Sequence, residues 1–307
     1  MSENLINDNF IEKLRQELLK QLVEDRTGYQ LVFNTVALAA FRFQGREVRF
    51  STHNLAFAQY LQLLFGELYD LEVDLTAAKS QAGIHISSLP LSRLLRDNME
   101  QFSREGMSYF NEDLGQEEAL KNLGLCLSAL FLACGSLASP QDAYHLEFAL
   151  QRQLALDFFD QLFQHFELDF SSLRHQGYFV LYVKDGGSIS DFLLLAQAHQ
   201  AMLAFENLRV EKDMFNRVNR VVNCDQANAQ RVANSSAKQR RSIQVIMDYQ
   251  QFDRLPVELQ EVALLRMENP ELSLAELGQK LSPPLGKSGV NHRLKRIEEF
   301  ASDLSER

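Results

Sequence analysis

The chain of 307 residues contains no tryptophan, three cysteines, six prolines and no long apolar run. Cys126, Cys134 and Cys224 are widely spaced and form no Cys-x-x-Cys pair, which argues against a structural zinc site or a disulfide framework. The longest apolar stretch, residues 123–138, contains glycine and serine and is too short for a bilayer, and the polar N-terminus does not resemble a signal peptide. We therefore expect a cytoplasmic protein with no membrane contact, metal or cofactor.

The chain also lacks an overall positive charge. Its net charge of −10 would by itself argue against a nucleic-acid partner. The charge is uneven, however: residues 1–208 hold 15 Lys+Arg and 27 Asp+Glu, whereas residues 209–307 hold 16 and 14. Within residues 209–241, eight cations face three carboxylates. This segment is sufficiently basic to contact phosphates, although solubility explains the acidic front half equally well.

Residues 272–297 have the pattern of a helix-turn-helix. Ser273 and Glu276 form a predicted capping box, prolines 283 and 284 stop that helix, and Ser288 is predicted to cap the next one. Apolar residues at helical spacing give the second helix a core face, and the alternative is a small helical bundle with a solvated basic face. The side chains predicted to contact base edges and phosphates are Lys287, Ser288, Asn291, His292, Arg293, Lys295 and Arg296.

The preceding segment, residues 190–249, has an unusual asparagine-rich stripe at helical spacing. Asparagine is a poor helix former, so its repeated use on one face indicates that the amides have partners. The alternative is a polar interdomain helix that packs on its valine side, formed by Val218, Val221 and Val222. The residues predicted to contact DNA here are Arg217, Asn219, Arg220 and Asn223.

Residues 1–205 are predicted to contain one unit twice: helix, strand, helix, strand, strand. The repeats cover about residues 1–89 and 90–205, and a coincidental alternation of elements is the competing interpretation. The first repeat is predicted as helix 30–44 ended by Gly45, strand 47–51, a helix from Asn54 to about 68, and strands 71–75 and 83–86. The second is predicted as helix 123–134 ended by Gly135, strand 144–148, helix 150–166, and strands 168–170 and 178–183. Residues 184–188 lack the Walker spacing and are predicted to be a turn before a helix capped by Ser190.

Three stretches resemble the WhiA family of bacterial transcription regulators: residues 131–147, 216–228 and 287–294. The resemblance implies an α+β chain, with a duplicated LAGLIDADG homing-endonuclease-like α/β domain at residues 1–205. It further implies a basic helical linker at residues 206–252 and an all-α helix-turn-helix domain at residues 253–307. Promoter DNA is the implied partner, with roles in sporulation, cell division or chromosome segregation.

The endonuclease resemblance raises the possibility of catalysis. Such nucleases place a carboxylate immediately before the glycine that ends each central helix, where the pair holds divalent metal. Here Gln44 precedes Gly45 and Cys134 precedes Gly135. Neither is a hard anionic ligand, so we predict no catalytic residues and no metal. His145 and Glu147, two apart on a predicted strand, remain a less favoured acid/base pair.

The sequence thus predicts a nucleoid-associated regulator that binds double-stranded promoter DNA and does not cleave it. A regulatory protein partner of the N-terminal half is a further expectation. The alternative is an interaction protein of the division machinery or the nucleoid, for which DNA binding is secondary. An active nuclease is the remote third possibility.

Overall fold

The computed structural model describes residues 2–24, 28–78, 81–140, 143–175 and 177–305, which form two compact units, Met1–Asp213 and Met214–Arg307. The helices are α1 (Ser2–Glu24), α2 (Tyr29–Ala40), α3 (Leu55–Tyr69), α4 (Leu89–Glu105), α5 (Gln116–Cys134), α6 (Gln153–His165), α7 (Gly186–Leu195), α8 (His199–Asp248), α9 (Val257–Glu268), α10 (Leu274–Gln279) and α11 (Lys287–Ser305). The strands are β1 (Arg42–Gln44), β2 (Glu47–Thr52), β3 (Leu75–Ala78), β4 (Gln81–Ser87), β5 (Gly135–Leu137), β6 (Leu146–Leu150), β7 (Ser171–His175) and β8 (Tyr178–Val183). None of the described helices is both long and apolar enough to cross a membrane.

The first unit is built from two antiparallel sheets with the same topology. Their strand orders are β1-β2-β4-β3 and β5-β6-β8-β7, and each sheet has a helix before its first strand and another between its second and third strands. Equivalent central pairs in the two sheets are Phe50 with Ile84 and Phe148 with Leu181, all buried. The predicted duplication is therefore confirmed. The predicted linker, residues 206–252, lies mostly in α8, and the proposed domain limits remain a prediction.

Helices α2 and α5 form the centre of the first unit. Both are apolar on nearly every side, which is the composition of a helix surrounded by protein. They pack closely enough for the Thr35 hydroxyl to donate to Cys126 Sγ at 3.4 Å. At Gly28, a Cβ atom would overlap a methyl group of Leu125, so a larger residue there would have to displace that side chain. Each of these two helices precedes the first strand of its sheet, so their last residues come from equivalent positions in the two repeats.

The predicted end of the first central helix at Gln44 is wrong. Helix α2 ends at Ala40, Phe41 is extended, and Arg42–Gln44 pair with Glu47–Arg49 as a hairpin. Gly45 has φ +58° and occupies the hairpin turn. A glycine with positive φ serves equally well after a helix or between two strands, and the sequence pattern did not separate these cases.

Two predicted strands and one predicted helix cap are also wrong. Residues 71–74 and 168–170 are unpaired coil, and the strands begin later, at Leu75 and Ser171. Val73 and Leu168 are nevertheless buried, since alternating apolar residues indicate burial and not backbone pairing. Helix α7 begins at Gly186, where the Asp185 carboxylate accepts from the backbone N–H of Ser188, so Ser190 is not the cap.

The second unit has its own core, to which the end of α8 contributes Ile243 and Ile246. Helices α9, α10 and α11 supply the other apolar side chains, and α11 packs against both α9 and α10. The buried members are Ile243, Ile246, Leu255, Leu259, Val262, Ala263, Leu277, Leu281, Val290, Leu294, Ile297 and Ala301. This core fixes which face of α11 points outward.

Candidate nucleic-acid interface

Helix α10 begins with the predicted capping box. The backbone N–H of Glu276 donates to Ser273 Oγ at 3.3 Å, and the backbone N–H of Ser273 donates to Glu276 Oε2 at 2.8 Å. Hydrogen bonding of the Glu276 carboxylate to the Ser273 side chain, and then to the Ser273 backbone N–H, holds the pKa of this carboxyl below its ordinary value. The start of the first helix of the helix-turn-helix is thereby fixed, as predicted.

The turn between α10 and α11 depends on a close backbone contact. The N–H of Leu285 donates to the Gly278 carbonyl at 2.9 Å, and a Cβ at residue 278 would overlap the Leu285 carbonyl oxygen. The N–H of Val290 donates to the Gly286 carbonyl at 3.1 Å, so α11 begins before Ser288. The predicted cap at Ser288 is therefore wrong: this residue lies within the first helical turn, where its side chain is exposed.

Helix α11 has one buried face and one exposed face. Val290, Leu294 and Ile297 are at most 1% exposed and bind the helix to the core. The predicted contact residues on the opposite side are exposed: Lys287, Ser288, His292, Lys295 and Arg296. Asn291 is half-buried at the border between the two faces. The first three turns therefore present cations and hydrogen-bonding groups outward, as a helix in a DNA groove must.

Arg293 lies apart from this set. Its guanidinium donates to the Glu258 backbone carbonyl at 3.4 Å and lies 3.8 Å from the Glu258 carboxylate, on α9. Only 20% of its side chain is exposed. Among the predicted contact residues of α11, Arg293 therefore has the strongest structural role, because it joins α11 to α9.

Arg266, which the sequence analysis does not single out, is 1% exposed in the core of the second unit. Its guanidinium donates to the carbonyls of Leu272 at 2.7 Å and Asn269 at 3.4 Å, and so holds the α9–α10 connection. Desolvation lowers its pKa. An arginine at an apolar helix position followed by Asn-Pro was the available signal, but nothing in the sequence specified its carbonyl partners.

The predicted contact residues of α8 are all exposed: Arg217, Asn219, Arg220 and Asn223. The side chains of Asn219 and Asn223 form no hydrogen bond with any residue in the described part of the chain. Val218, Val221 and Val222 are exposed as well, so the packed valine side required by the alternative interpretation is not present in this unit. Further along α8, Lys238 forms a 2.7 Å ion pair with Glu298 of α11.

In the first unit, the ends of the two central helices meet at one cleft of about 460 Å³. Ala40 and Cys134 are the last residues of these helices, so the equivalent of Cys134 is Ala40 and not Gln44. Both line the cleft, and Gln44 of β1 lines it as well. Alanine has no ligand atom, and burial raises the pKa of the Cys134 thiol to about 12. A neutral thiol beside a methyl group is a poor site for a hard divalent cation.

The outward faces of the two sheets carry a mixture of charges. His145 Nε2 lies 3.0 Å from Glu147 Oε2 on the second sheet, and Glu47 forms an ion pair with Arg49 on the first. The histidine and glutamate predicted to share a strand face are thus paired with each other. Within the described ranges, no three His, Cys, Asp or Glu side chains come together as a metal site.

Sequence and structure comparisons agree on the relatives of this chain. Residues 124–215 match the WhiA LAGLIDADG-like domain, and residues 218–301 match the WhiA C-terminal HTH domain. The chain is 33% identical over 276 residues to a probable cell division protein WhiA of Clostridium tetani, covering 86% of each protein. It is 33% identical over 309 residues to that of Clostridium perfringens strain SM101, covering 96% of this chain and 94% of the relative.

A crystal structure of full-length WhiA from Thermatoga maritima has a similar fold, with a TM-score of 0.52 at 27% identity. The match covers 95% of this chain and 97% of that one. The predicted fold class, a duplicated LAGLIDADG-like α/β domain with a helix-turn-helix domain, is confirmed by these matches. The 33% identity to the two clostridial proteins extends over most of each chain. The chain therefore belongs to the WhiA family.

Proposed function

We propose that the chain is a transcription regulator that binds promoter DNA sequence-specifically at the nucleoid and acts in cell division, sporulation or chromosome segregation. The exposed face of α11, with Lys287, Lys295 and Arg296 opposite a buried apolar face, is the observation that carries this proposal. Long cationic side chains on the outer face of a helix held by its own core are suited to guanine edges and phosphates. The names of the clostridial relatives support the link to cell division.

Genome-wide crosslinking in the native host tests this proposal. A triple variant, Lys287→Ala with Lys295→Ala and Arg296→Ala, should lose its promoter peaks, because each lost base contact costs about 1 to 3 kcal/mol. The matched control removes three exposed cations from the first unit, through Lys13→Ala, Arg93→Ala and Arg104→Ala, and should keep the peaks.

Peaks that persist in the triple variant at normal protein levels would contradict the assignment of α11. If the triple variant loses its peaks and the cell division phenotype stays normal, DNA binding is secondary and the protein is an interaction protein of the division machinery.

The exposed cations of α8 would add sequence-independent contacts. Arg217 and Arg220 lie one turn apart on a helix whose amide groups also face solvent. Phosphate contacts of this kind position a protein on the duplex without specifying the sequence. In this proposal α11 determines specificity and α8 adds affinity.

We further propose that the first unit does not hydrolyse DNA and serves as a docking module for a regulatory protein. The proposal is supported by the neutral pair Ala40 and Cys134 at the helix ends and by the balanced charges on the sheet faces. Promoter DNA incubated with the full chain and magnesium or manganese should stay intact. Metal-dependent cleavage that disappears with Glu47→Gln or Glu147→Gln would overturn this part of the proposal.

A further inference from the structure

The exposed part of α8 carries an apolar stripe that no other described residue of the second unit covers. Met214 is 62% exposed, Phe215 is 69% exposed and Val218 is 58% exposed, and Val221 and Val222 are similar. Single exposed apolar residues are common, but five large ones along about two turns of one helix form a contiguous patch. Such patches mark interaction surfaces.

This stripe lies on the same face of α8 that is buried further along the helix. Five helical turns take 18 residues, so Ser236 lies directly in line with Val218, and Gln239 with Val221. Ser236 and Gln239 are buried in the second unit. The stripe is therefore the exposed continuation of an internal packing face, with the chemistry to pack against another helix.

We propose that a second copy of this chain covers the stripe, with the two α8 helices antiparallel and centred on Val221. The charges along the stripe favour this occupant and this orientation. Asp225, two helical turns after Val218, continues the stripe and is the one charged residue on this face between Met214 and Asp225. A parallel pair in register would place Asp225 against Asp225. An antiparallel pair centred on Val221 places Asp225 level with Arg217 of the other copy, twice by symmetry.

The opposite face of α8 stays open in this arrangement. Asn219 and Asn223 lie on the far side from Val218 and Val221, so dimerisation leaves the amide face free. The stripe from Met214 to Asp225 is only about 18 Å long. An interface of this size falls at or below the lower end of stable complexes, roughly 1,200 Å² in total, so the dimer is weak and concentration-dependent.

Sedimentation equilibrium of the full chain without DNA tests the proposal independently of the proposed function. The wild-type chain should dimerise at high concentration. Val218→Glu should raise the dimer dissociation constant about tenfold or more, because it places a carboxylate in an apolar contact. Ala227→Glu, an equally exposed position on the opposite face, should leave the dimer unchanged. A wild-type chain that stays monomeric at every concentration, or equal effects of the two variants, overturns the proposal.

Charge reversal tests the register. Arg217→Asp and Asp225→Arg should each weaken the dimer, and the double variant should restore it. In a Cys224→Ser background, Val221→Cys should form a disulfide-linked dimer under mild oxidation, whereas Met214→Cys should not. The Cys224→Ser protein without a new cysteine is the control for Cys126, which is fully buried, and for Cys134, which is half-buried. Crosslinking through Met214→Cys instead, or failure of the double variant to dimerise, overturns the antiparallel arrangement.

Discussion

Helix α11 and the middle of α8 are both basic and both belong to the second unit, but they differ in what surrounds them. In α11 every third or fourth residue is buried, and Val290 is fully enclosed. In α8 all residues from 213 to 231 are exposed. Packing against the core determines which side chains of α11 face solvent. In this part of α8 no packed face fixes the direction of the side chains. Specific recognition requires fixed side chains, so under the proposed function we expect α11 to provide specificity and α8 to provide non-specific contact or assembly.

The largest effect should come from removing the buried side of α11. Leu294→Ala deletes a fully buried side chain and should lower the free energy of unfolding of the second unit by about 2 to 5 kcal/mol. Val218→Ala on α8 removes an exposed side chain and should change it by less than about 0.5 kcal/mol. Urea unfolding at low protein concentration measures both. Equal losses would mean that the two helices are equally packed.

The contribution of α8 to DNA affinity should be smaller and independent of sequence. Arg217→Ala with Arg220→Ala should lower the slope of log affinity against log salt by about 1.8 if both side chains contact phosphates. If Arg217 instead pairs with Asp225 in a dimer, the loss should be about 0.9, all of it from Arg220. Fluorescence anisotropy with promoter and scrambled duplexes over a salt series distinguishes these values. An unchanged slope would show that Arg217 and Arg220 do not contact phosphates.

Among the substitutions expected to cause a loss, the smallest effect should be at the start of α10. Ser273→Ala removes the hydroxyl that accepts from Glu276 N–H and should cost about 1 kcal/mol at neutral pH. Because the capping box holds the pKa of Glu276 below its ordinary 4.5, the stabilisation is present above that pH and is lost as the pH falls through the lowered value. Thermal unfolding at neutral and acidic pH should therefore show a difference between wild type and variant that shrinks in acid. A difference that grows in acid would contradict this account.

The sequence predicted several short-range features correctly. The capping box at Ser273, the apolar face around Leu294 and the strand at residues 178–183 are all present, since each depends on neighbours within a few residues. The caps predicted at Ser190 and Ser288 were local errors. The other errors arose where tertiary contacts determine the structure. Gly45 belongs to a hairpin and not to a helix end, and Val73 is buried without strand pairing.

In the candidate site, too, local features could be predicted from the sequence and contacts between helices could not. The exposed positions of α11 could be predicted from helical spacing, because one apolar stripe defines its opposite face. The ion pair between Arg293 and Glu258 could not, because it joins residues on different helices. The carbonyl partners of Arg266 could not be predicted either, because every residue has a backbone carbonyl and the sequence does not show which one a guanidinium contacts.

The pairing of Ala40 with Cys134 at the ends of the central helices has a consequence for folding. A helix C-terminus carries partial negative charge, and two carboxylates placed at two adjoining ends would repel each other until a cation arrived. With a methyl group and a neutral thiol in those places, the helix ends can approach without a counter-ion. We therefore expect the stability of the first unit to be independent of the concentration of divalent metal in the cell.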